Sequence, residues 1–265
     1  DGQRILTASS DKTARLWDLQ GKEIAKFQGH EGWVTSASFS PDGQRILTAS
    51  LDKTARLWGL QGKEIAKFQG HEDWVISASF SPDGQRILTA SSDKTARLWD
   101  LQGKEIAKFQ GHEDSVRSAS FSADGQRILT TSDDNTARLW DLQGKEIAKF
   151  QGHEDIVRSA SFSADGQRIL TASSDKTARL WDLQGKEIAK FQGHEGWVTS
   201  ASFSPDGQRI LIASVDNKTA RVVSIYAWNV ESLEQLLARG CRWLHNYLIY
   251  APNLSDSDRQ LCKKK

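Results

Sequence analysis

Short runs of apolar and β-branched residues, separated by turn residues, follow one another along most of the chain. In the stretch 29–69 these runs cover residues 33–39, 45–50, 54–58 and 64–68, and each has the composition of a strand. Residues 40–43, 52–53 and 61–62 lie between them and contain the Pro, Asp and Gly of tight turns. The 3.6-residue period of a helix is absent from these runs. The pattern therefore predicts four antiparallel strands.

The same pattern returns at a constant interval. The hexapeptide Asp-Gly-Gln-Arg-Ile-Leu has an interval of 41 residues, and it begins at Asp1, Asp42, Asp83, Asp124, Asp165 and Asp206. A repeat of this length containing four strands is typical of a propeller blade. One such sheet cannot bury both of its faces, so the sheets must stack around an axis. We therefore predict an all-β fold, a β-propeller of six four-stranded antiparallel blades, over residues 1–224.

The first and last blades are incomplete in the sequence. Blade 1 lacks a first strand, and blade 6 lacks a clear fourth strand. In blade 6 the turn Asp216-Asn217-Lys218-Thr219 carries an extra residue, and Val223 stands where the third strand should have Trp. Trp228 is either that Trp, displaced by an insertion, or an anchor for the segment that follows. The sequence favours the anchor.

A helical pattern follows in the predicted C-terminal tail, residues 225–265. Asn229 or Ser232 has the chemistry of a helix cap. Apolar residues recur at spacings of three and four at Leu233, Leu236, Leu237, Trp243, Leu244, Tyr247 and Leu248. The pattern favours a helix that covers an exposed edge of the propeller, and the alternative is a helix that binds a partner.

Each unit carries Gly-His near its start and a Trp, usually followed by Asp, at the end of its third strand. These motifs are Gly29-His30 with Trp58, Gly70-His71 with Trp99-Asp100, Gly111-His112 with Trp140-Asp141, and Gly152-His153 with Trp181-Asp182. By these motifs residues 1 to about 224 resemble the WD-repeat family. Residues 236–262 also resemble the C-terminal tails of large cyanobacterial WD-repeat signalling proteins. That second resemblance implies a longer reading frame with an effector upstream.

The WD-repeat resemblance implies a hydrogen-bonded chain of His, Ser or Thr, turn Asp and Trp in each blade. The implied sets are His30, Ser50, Asp52, Trp58; His71, Ser91, Asp93, Trp99; His112, Ser132, Asp134, Trp140; and His153, Ser173, Asp175, Trp181. Leaving a buried imidazole or indole N–H unpaired costs about 1–3 kcal/mol, which supports assigning these hydrogen-bonded sets to this chain. Equivalent sets spread around a ring cannot converge on one substrate, so they are predicted to be structural rather than catalytic.

Because the copies are nearly identical, the positions that differ between them are informative. Three of these positions cluster: they lie three and five residues after each His and immediately before each turn Asp. In the WD-repeat family these positions surround one mouth of the central channel, where partners dock. Trp and Arg are the residue types that dominate interface energies. The predicted partner-binding residues are Trp33, Thr35, Leu51, Trp74, Ile76, Arg117, Asp133, Ile156, Arg158 and Trp197.

The composition of the chain argues against several classes of function. The 35 Lys and Arg balance the 34 Asp and Glu to a net charge of +1, which argues against nucleic-acid or membrane binding driven by net charge. No apolar run is long enough to span a bilayer. Cys241 and Cys262 fit no metal-finger or disulfide spacing, so reduced thiols in a cytoplasmic protein are expected. No metal or cofactor is predicted.

Together these patterns favour a non-catalytic protein-interaction or sensing scaffold, the C-terminal propeller of a larger bacterial signalling protein. An aromatic and apolar arc (Trp33, Trp74, Ile76) beside a basic one (Arg117, Arg158) suits a peptide or protein with an acidic stretch. The alternative is a self-sufficient structural adaptor that closes its incomplete ring by self-association. A propeller hydrolase ranks last, because it requires an asymmetric acidic or metal cluster and Asp133 alone is not one.

Overall fold

The fold is known from a computed structural model that describes residues 2–204, 206–207, 209–215 and, for the backbone alone, 223–229. These residues form six antiparallel sheets, one for each repeat. The strands of blades 1 to 3 are β1 (Arg4–Ala8), β2 (Thr13–Asp18), β3 (Glu23–Gln28); β4 (Val34–Phe39), β5 (Arg45–Ser50), β6 (Thr54–Gly59), β7 (Glu64–Gln69); and β8 (Val75–Phe80), β9 (Arg86–Ser91), β10 (Thr95–Asp100), β11 (Glu105–Gln110). Those of blades 4 to 6 are β12 (Val116–Phe121), β13 (Arg127–Ser132), β14 (Thr136–Asp141), β15 (Glu146–Gln151); β16 (Val157–Phe162), β17 (Arg168–Ser173), β18 (Ala178–Asp182), β19 (Glu187–Phe191); and β20 (Trp197–Phe203), β21 (Arg209–Val215), β22 (Val223–Asn229).

Blades 2 to 5 each have four strands in chain order, and blades 1 and 6 have three among the described residues. The predicted all-β fold of repeated four-stranded blades is confirmed, and the strand bounds agree with the sequence pattern to within a residue. In blades 2 to 5 the second and third strands, such as β5 and β6, are buried on both faces. They lie between neighbouring blades, so their sequences are almost continuously apolar or small rather than alternating.

The core consists of the interfaces between successive blades. One face of each blade presents the leucines and alanines of its middle strands and a phenylalanine of its outer strand. The next blade presents a Val, the Ile of its second strand and the Trp of its third. Between blades 2 and 3 the buried residues are Leu47, Ala49, Ala55, Leu57 and Phe68 against Val75, Ala78, Ile87 and Trp99. The same composition recurs between blades 1 and 2, 3 and 4, and 4 and 5, and the buried cluster between blades 5 and 6 keeps its Leu, Ala, Val and Ile residues.

An arginine at the start of each second strand fastens its blade to the next one. The Arg45 guanidinium carbon lies 5.7 Å from the ring centroid of Phe80, and its Nη2 donates a hydrogen bond to the carbonyl of Gly84 at 3.2 Å. The ring belongs to β8 and the carbonyl to the turn after it, both in blade 3. Arg86 and Arg127 make the same pair of contacts one and two blades further on. Each blade is therefore joined to its neighbour by a polar contact as well as by its core.

Within the described part of the chain, no blade packs against one face of each terminal blade. Ile5 of β1 is 50% exposed, whereas Ile46, which occupies the same position in blade 2, is fully buried. At the other end Leu211 of β21 is exposed, whereas its counterpart Leu47 is buried. Ile5 lies on the face that receives a preceding blade, and Leu211 on the face that receives a following one. The uncovered faces are therefore of the two complementary kinds.

The third strand of blade 6 corrects the interpretation of Trp228 as an anchor for the tail. Trp228 of β22 pairs with Ile210, and the same register joins Trp58 to Ile46 in blade 2. The backbone thus places Trp228 at the third-strand Trp position, so the inserted residues displaced it along the chain. Strand β22 also extends past residue 224, into the segment assigned to the tail. The helix predicted for the rest of the tail lies outside the described residues. In the part that is described, no helix is long and apolar enough to cross a bilayer.

Candidate functional site

The hydrogen-bonded chains of blades 2 to 5 run through a threonine rather than through the predicted serine. In blade 2, Thr48 Oγ1 lies 2.7 Å from His30 Nε2 and accepts the Trp58 indole N–H at 2.9 Å. His30 Nδ1 lies 2.7 Å from Asp52 Oδ2, which closes the chain. The equivalent atoms lie at the same distances, within 0.1 Å, in the sets His71, Thr89, Asp93, Trp99; His112, Thr130, Asp134, Trp140; and His153, Thr171, Asp175, Trp181.

The prediction that these chains contain a serine is therefore wrong for Ser50, Ser91, Ser132 and Ser173. Thr48 and Ser50 lie on the same face of β5, but Thr48 is one step closer to the pair Ile46–Trp58 and so reaches both the indole and the imidazole. Ser50 stands at the end of β5, where its Oγ accepts the backbone N–H of Asp52 at 3.1 Å. It shapes the turn that holds the aspartate.

The turn aspartates have strongly perturbed acidity. Burial by itself would raise the pKa of Asp134, but hydrogen bonds from His112 and Thr136 and the charge of His112 hold it well below the usual range. The same balance lowers the pKa values of Asp52, Asp93 and Asp175. The imidazoles paired with them are almost fully buried. A group that solvent cannot reach does not touch a substrate, so each set holds the strands and turns of its own blade together.

Blades 1 and 6 depart from this arrangement. In blade 1 the bond from Trp17 Nε1 to Thr7 Oγ1 persists at 2.9 Å, and Asp11 pairs with Arg15 at 2.9 Å. In blade 6, Ile212 stands at the threonine position, and His194 Nδ1 lies 3.3 Å from Ser214 Oγ. Burial lowers the pKa of His194. Among the described residues the complete chain of hydrogen bonds occurs in blades 2 to 5.

Two of the three predicted positions, the one three residues after the His and the one before the turn Asp, are joined by a backbone contact in blades 2 to 6. We call the end of the blades that carries the three positions the variable face. In blade 2 the backbone N–H of Leu51 donates to the carbonyl of Trp33 at 3.0 Å, and in blade 3 that of Ser92 donates to Trp74 at 2.9 Å. The equivalent bonds in blades 4 and 5 join Asp133 to Ser115 and Ser174 to Ile156. In blade 6, Trp197 pairs with Val215.

Three tryptophans project from the variable face into solvent. Trp33 is 59% exposed, Trp74 52% and Trp197 44%. The other predicted residues of this face are half-buried at Leu51, Ile76, Asp133, Ile156 and Arg158, and exposed at Thr35 and Arg117. Thr35 Oγ1 donates to the carbonyl of Val75 in the next blade at 2.9 Å, so neighbouring blades are in contact.

The two arginines of the variable face have different partners. Arg117 makes a two-pronged ion pair within blade 4, since its Nε and Nη2 each donate to a carboxylate oxygen of Asp133 at 2.6 Å. This hydrogen bond, opposed by burial, raises the pKa of Arg117. Arg158 instead donates from Nε to Ser174 Oγ at 2.6 Å, and its guanidinium carbon lies 4.7 Å from the ring centroid of Trp197 in blade 6.

One further varying position was missed by the sequence reasoning. Two residues after the His stand Asp73, Asp114 and Asp155 in blades 3 to 5, whereas blades 2 and 6 have Gly32 and Gly196. Each of these aspartates accepts the backbone N–H of the residue that follows it, for example Trp74 N at 2.8 Å. They order the loop that carries the exposed side chains. The signal was present, because this position also differs between otherwise identical copies.

No group of three or more His, Cys, Asp or Glu side chains suited to a metal ion occurs among the described residues. The chemistry of the variable face is that of recognition: indole rings, two guanidinium groups and hydroxyls on adjacent loops. Such a set provides apolar contact area together with a few oriented donors.

Comparison with known proteins agrees with this geometry. Six sheets of one 41-residue repeat, with the same hydrogen-bonded set in blades 2 to 5 and a recurring inter-blade arginine contact, define a WD-repeat β-propeller. The family described as the IFT122 first beta-propeller matches residues 1–224, and the chain belongs to this family.

Individual relatives match over about one repeat. WD repeat and SOCS box-containing protein 1 of Homo sapiens is 51% identical over 45 residues, and that of Danio rerio is 47% identical over the same length. Each match covers 16% of this chain and 11% of the relative. Guanine nucleotide-binding protein subunit beta-1 of Caenorhabditis briggsae is 46% identical over 43 residues, 16% of this chain and 13% of that protein. The matched segment therefore spans only about a tenth of these relatives.

Proposed function

We propose that this propeller is a non-catalytic scaffold whose variable face binds a protein or peptide partner. WD-repeat propellers as a class are interaction scaffolds, and the family assignment carries that general function to this chain. The single observation that carries the specific site is the exposure of Trp33, Trp74 and Trp197 on one face. Exposed indoles grouped on one surface are costly in water and are a frequent mark of an interaction site.

The proposed setting is the cytoplasm of a bacterium, as the C-terminal propeller of a larger signalling protein. The resemblance of residues 236–262 to tails of such proteins supports this setting. We propose a partner with an acidic segment, because Arg117 and Arg158 lie on the same face as the indoles. The balanced net charge of +1 supports a protein partner over nucleic acid or a membrane surface. A hydrolase is the least supported reading, because the carboxylate of Asp133 is occupied by Arg117.

Peptide selection tests the proposed surface directly. A phage-displayed library of random dodecapeptides is selected on the immobilised chain, and the affinities of enriched peptides are measured by calorimetry. The variants are W33S, W74S and W197S, because Ser115 already occupies the same position in blade 4. We expect each replacement at a contacted indole to weaken binding by roughly tenfold or more.

The control for this experiment is I65S. Ile65 is an apolar side chain of β7 that is exposed to the same degree as the indoles but lies on an outer strand. It should bind the selected peptides as the unmodified chain does. If all three Trp variants retain full affinity while the peptides still bind, the variable face is not the docking site.

A second proposal, self-association, follows from the uncovered faces at Ile5 and Leu211. Because one face accepts a preceding blade and the other a following blade, two copies present complementary surfaces. Sedimentation velocity over a range of concentrations should show oligomers that dissociate in L211E. A species of 29.5 kDa at every concentration would contradict this proposal.

A further inference from the structure

Arg117 and Arg158 occupy equivalent positions in adjacent blades, yet only one of them has a carboxylate partner. Arg117 uses two nitrogens for the two oxygens of Asp133. In blade 5 the position of Asp133 is taken by Ser174, whose single hydroxyl occupies only the Nε of Arg158. Among the described residues no Asp or Glu forms an ion pair with Arg158. Its terminal nitrogens therefore remain available as donors.

The Arg158 side chain is also held in place. The indole of Trp197 packs against its guanidinium plane at 4.7 Å, and Ser174 Oγ accepts its Nε–H at 2.6 Å. An arginine fixed by stacking and by one hydrogen bond loses little conformational freedom when it binds a ligand. Partial burial beside an indole also strengthens its attraction for an anion relative to a fully solvated side chain.

The ion pair in blade 4 shows which ligand fits this position. Asp133 approaches Arg117 in the two-pronged geometry that guanidinium and carboxylate groups adopt in strong charge-assisted pairs. At Arg158 the Nε is taken by Ser174, so a partner carboxylate meets the two terminal nitrogens of the equivalent guanidinium one blade further on. Trp197 stands beside it with an exposed ring that accepts an apolar neighbour of that carboxylate.

We propose that Arg158, held between Ser174 and Trp197, is the site on the variable face that binds one carboxylate side chain of the partner, flanked by apolar residues. Asp133 occupies the equivalent position at Arg117 and so limits recognition to a single acid. This inference rests on the proposed function, since it names the chemistry of the partner at that face. Glu154 and Asp155 shortly precede Arg158 in its loop and disfavour a long acidic run there.

The test uses two defined probes, the tripeptides acetyl-Leu-Glu-Leu-amide and acetyl-Leu-Gln-Leu-amide. They are added to the full chain while the Arg158 Nε–H and Trp197 indole N–H signals are followed by NMR. R158T assigns the arginine signal, and threonine already stands at the same position as Thr35 and Thr199. We expect the Glu peptide to shift both signals to saturation and the Gln peptide to bind roughly tenfold more weakly. R158T should bind both peptides equally weakly.

The variant D133S tests the role of Asp133 independently of R158T. It gives blade 4 the serine that blade 5 has, frees the donors of Arg117 and should raise the number of bound Glu peptides from one to two per chain. Equal binding of the two peptides by the unmodified chain, or undiminished Glu-peptide affinity in R158T, would overturn the inference. A stoichiometry of one in D133S would overturn the limiting role of Asp133.

The failure of this inference is distinguishable from that of the proposed function. If R158T keeps its preference for Glu while W33S and W74S lose the phage-selected peptides, the surface is correct and Arg158 is not its carboxylate site. If the Trp variants retain those peptides while the Glu peptide still shifts Arg158, the carboxylate site exists apart from the proposed docking face.

Discussion

Oγ1 of Thr130 lies 2.8 Å from Nε2 of His112 at the centre of blade 4. The same oxygen accepts the indole N–H of Trp140 at 2.9 Å, so one hydroxyl serves two buried rings. T130V keeps the volume of the side chain and removes this oxygen. Leaving the two ring nitrogens without it should lower the free energy of unfolding by about 1–3 kcal/mol, measured by urea denaturation.

T7V is the matched control for that measurement. Thr7 makes the same bond to Trp17 in blade 1, at 2.9 Å, but on an exposed face. Water replaces the hydroxyl there, so the change should stay within about 0.5 kcal/mol. Equal losses in T7V and T130V would mean that burial does not determine the value of this bond.

The turn aspartates predict how stability depends on pH. The pKa of Asp134 in the folded chain lies below its usual value, so the unfolded state binds its proton first as the pH falls. The stabilisation is fully present above about pH 5 and is lost as the pH falls below the unfolded value near 3.9. We call the fall in stability below about pH 5 the acid limb. This fall should be smaller in D134N than in the unmodified chain, measured as urea midpoints between pH 7 and pH 2.

D134N tests the pair His112–Asp134, whose Nδ1 and Oδ2 atoms lie 2.7 Å apart. An unchanged limb in D134N would show that the His112–Asp134 pair does not govern acid stability.

The blade interfaces predict unequal effects of the same truncation. Ile128 is fully buried between blades 3 and 4, whereas Ile5 is half exposed in blade 1. I128A should cost about 2–5 kcal/mol, because it leaves a cavity in a packed interface. I5A should change the free energy of unfolding by about 0.5 kcal/mol or less. A large loss in I5A would mean that the first face is covered in solution.

Gly59 predicts a stabilising replacement. Blades 1, 3, 4 and 5 have Asp18, Asp100, Asp141 and Asp182 at this position, and in each the Oδ1 atom accepts two backbone N–H groups of the following turn. A Cβ built on Gly59 meets only ordinary contacts, at 3.9 Å or more. G59D should therefore add about 0.5–1.5 kcal/mol to the free energy of unfolding, and D100G should remove a similar amount. Destabilisation by G59D would show that blade 2 cannot adopt the turn of its neighbours.

The blades were predictable from sequence because period, turn residues and strand composition all agree, as in the unit containing β4 to β7. The sequence did not predict that Thr48 rather than Ser50 bonds to His30. Both side chains lie on one face of β5, and only their distances from the neighbouring strand distinguish them. Trp228 could not be assigned to the third strand from the sequence, because the inserted residues shift it along the chain. Its place follows only from the strand pairing with Ile210. On the variable face the residues were identifiable, but the pairing of Arg117 with Asp133 depends on how two loops approach each other.

The contact of Arg45 with Phe80 and Gly84 has a consequence for how such a chain can change in length. Donor and acceptor of this contact lie in successive repeats, and every complete repeat carries both. Unequal recombination that adds or deletes a whole 41-residue unit therefore leaves every junction with its arginine, ring and carbonyl. A gene of this kind can gain or lose whole blades without new compensating mutations at the junctions.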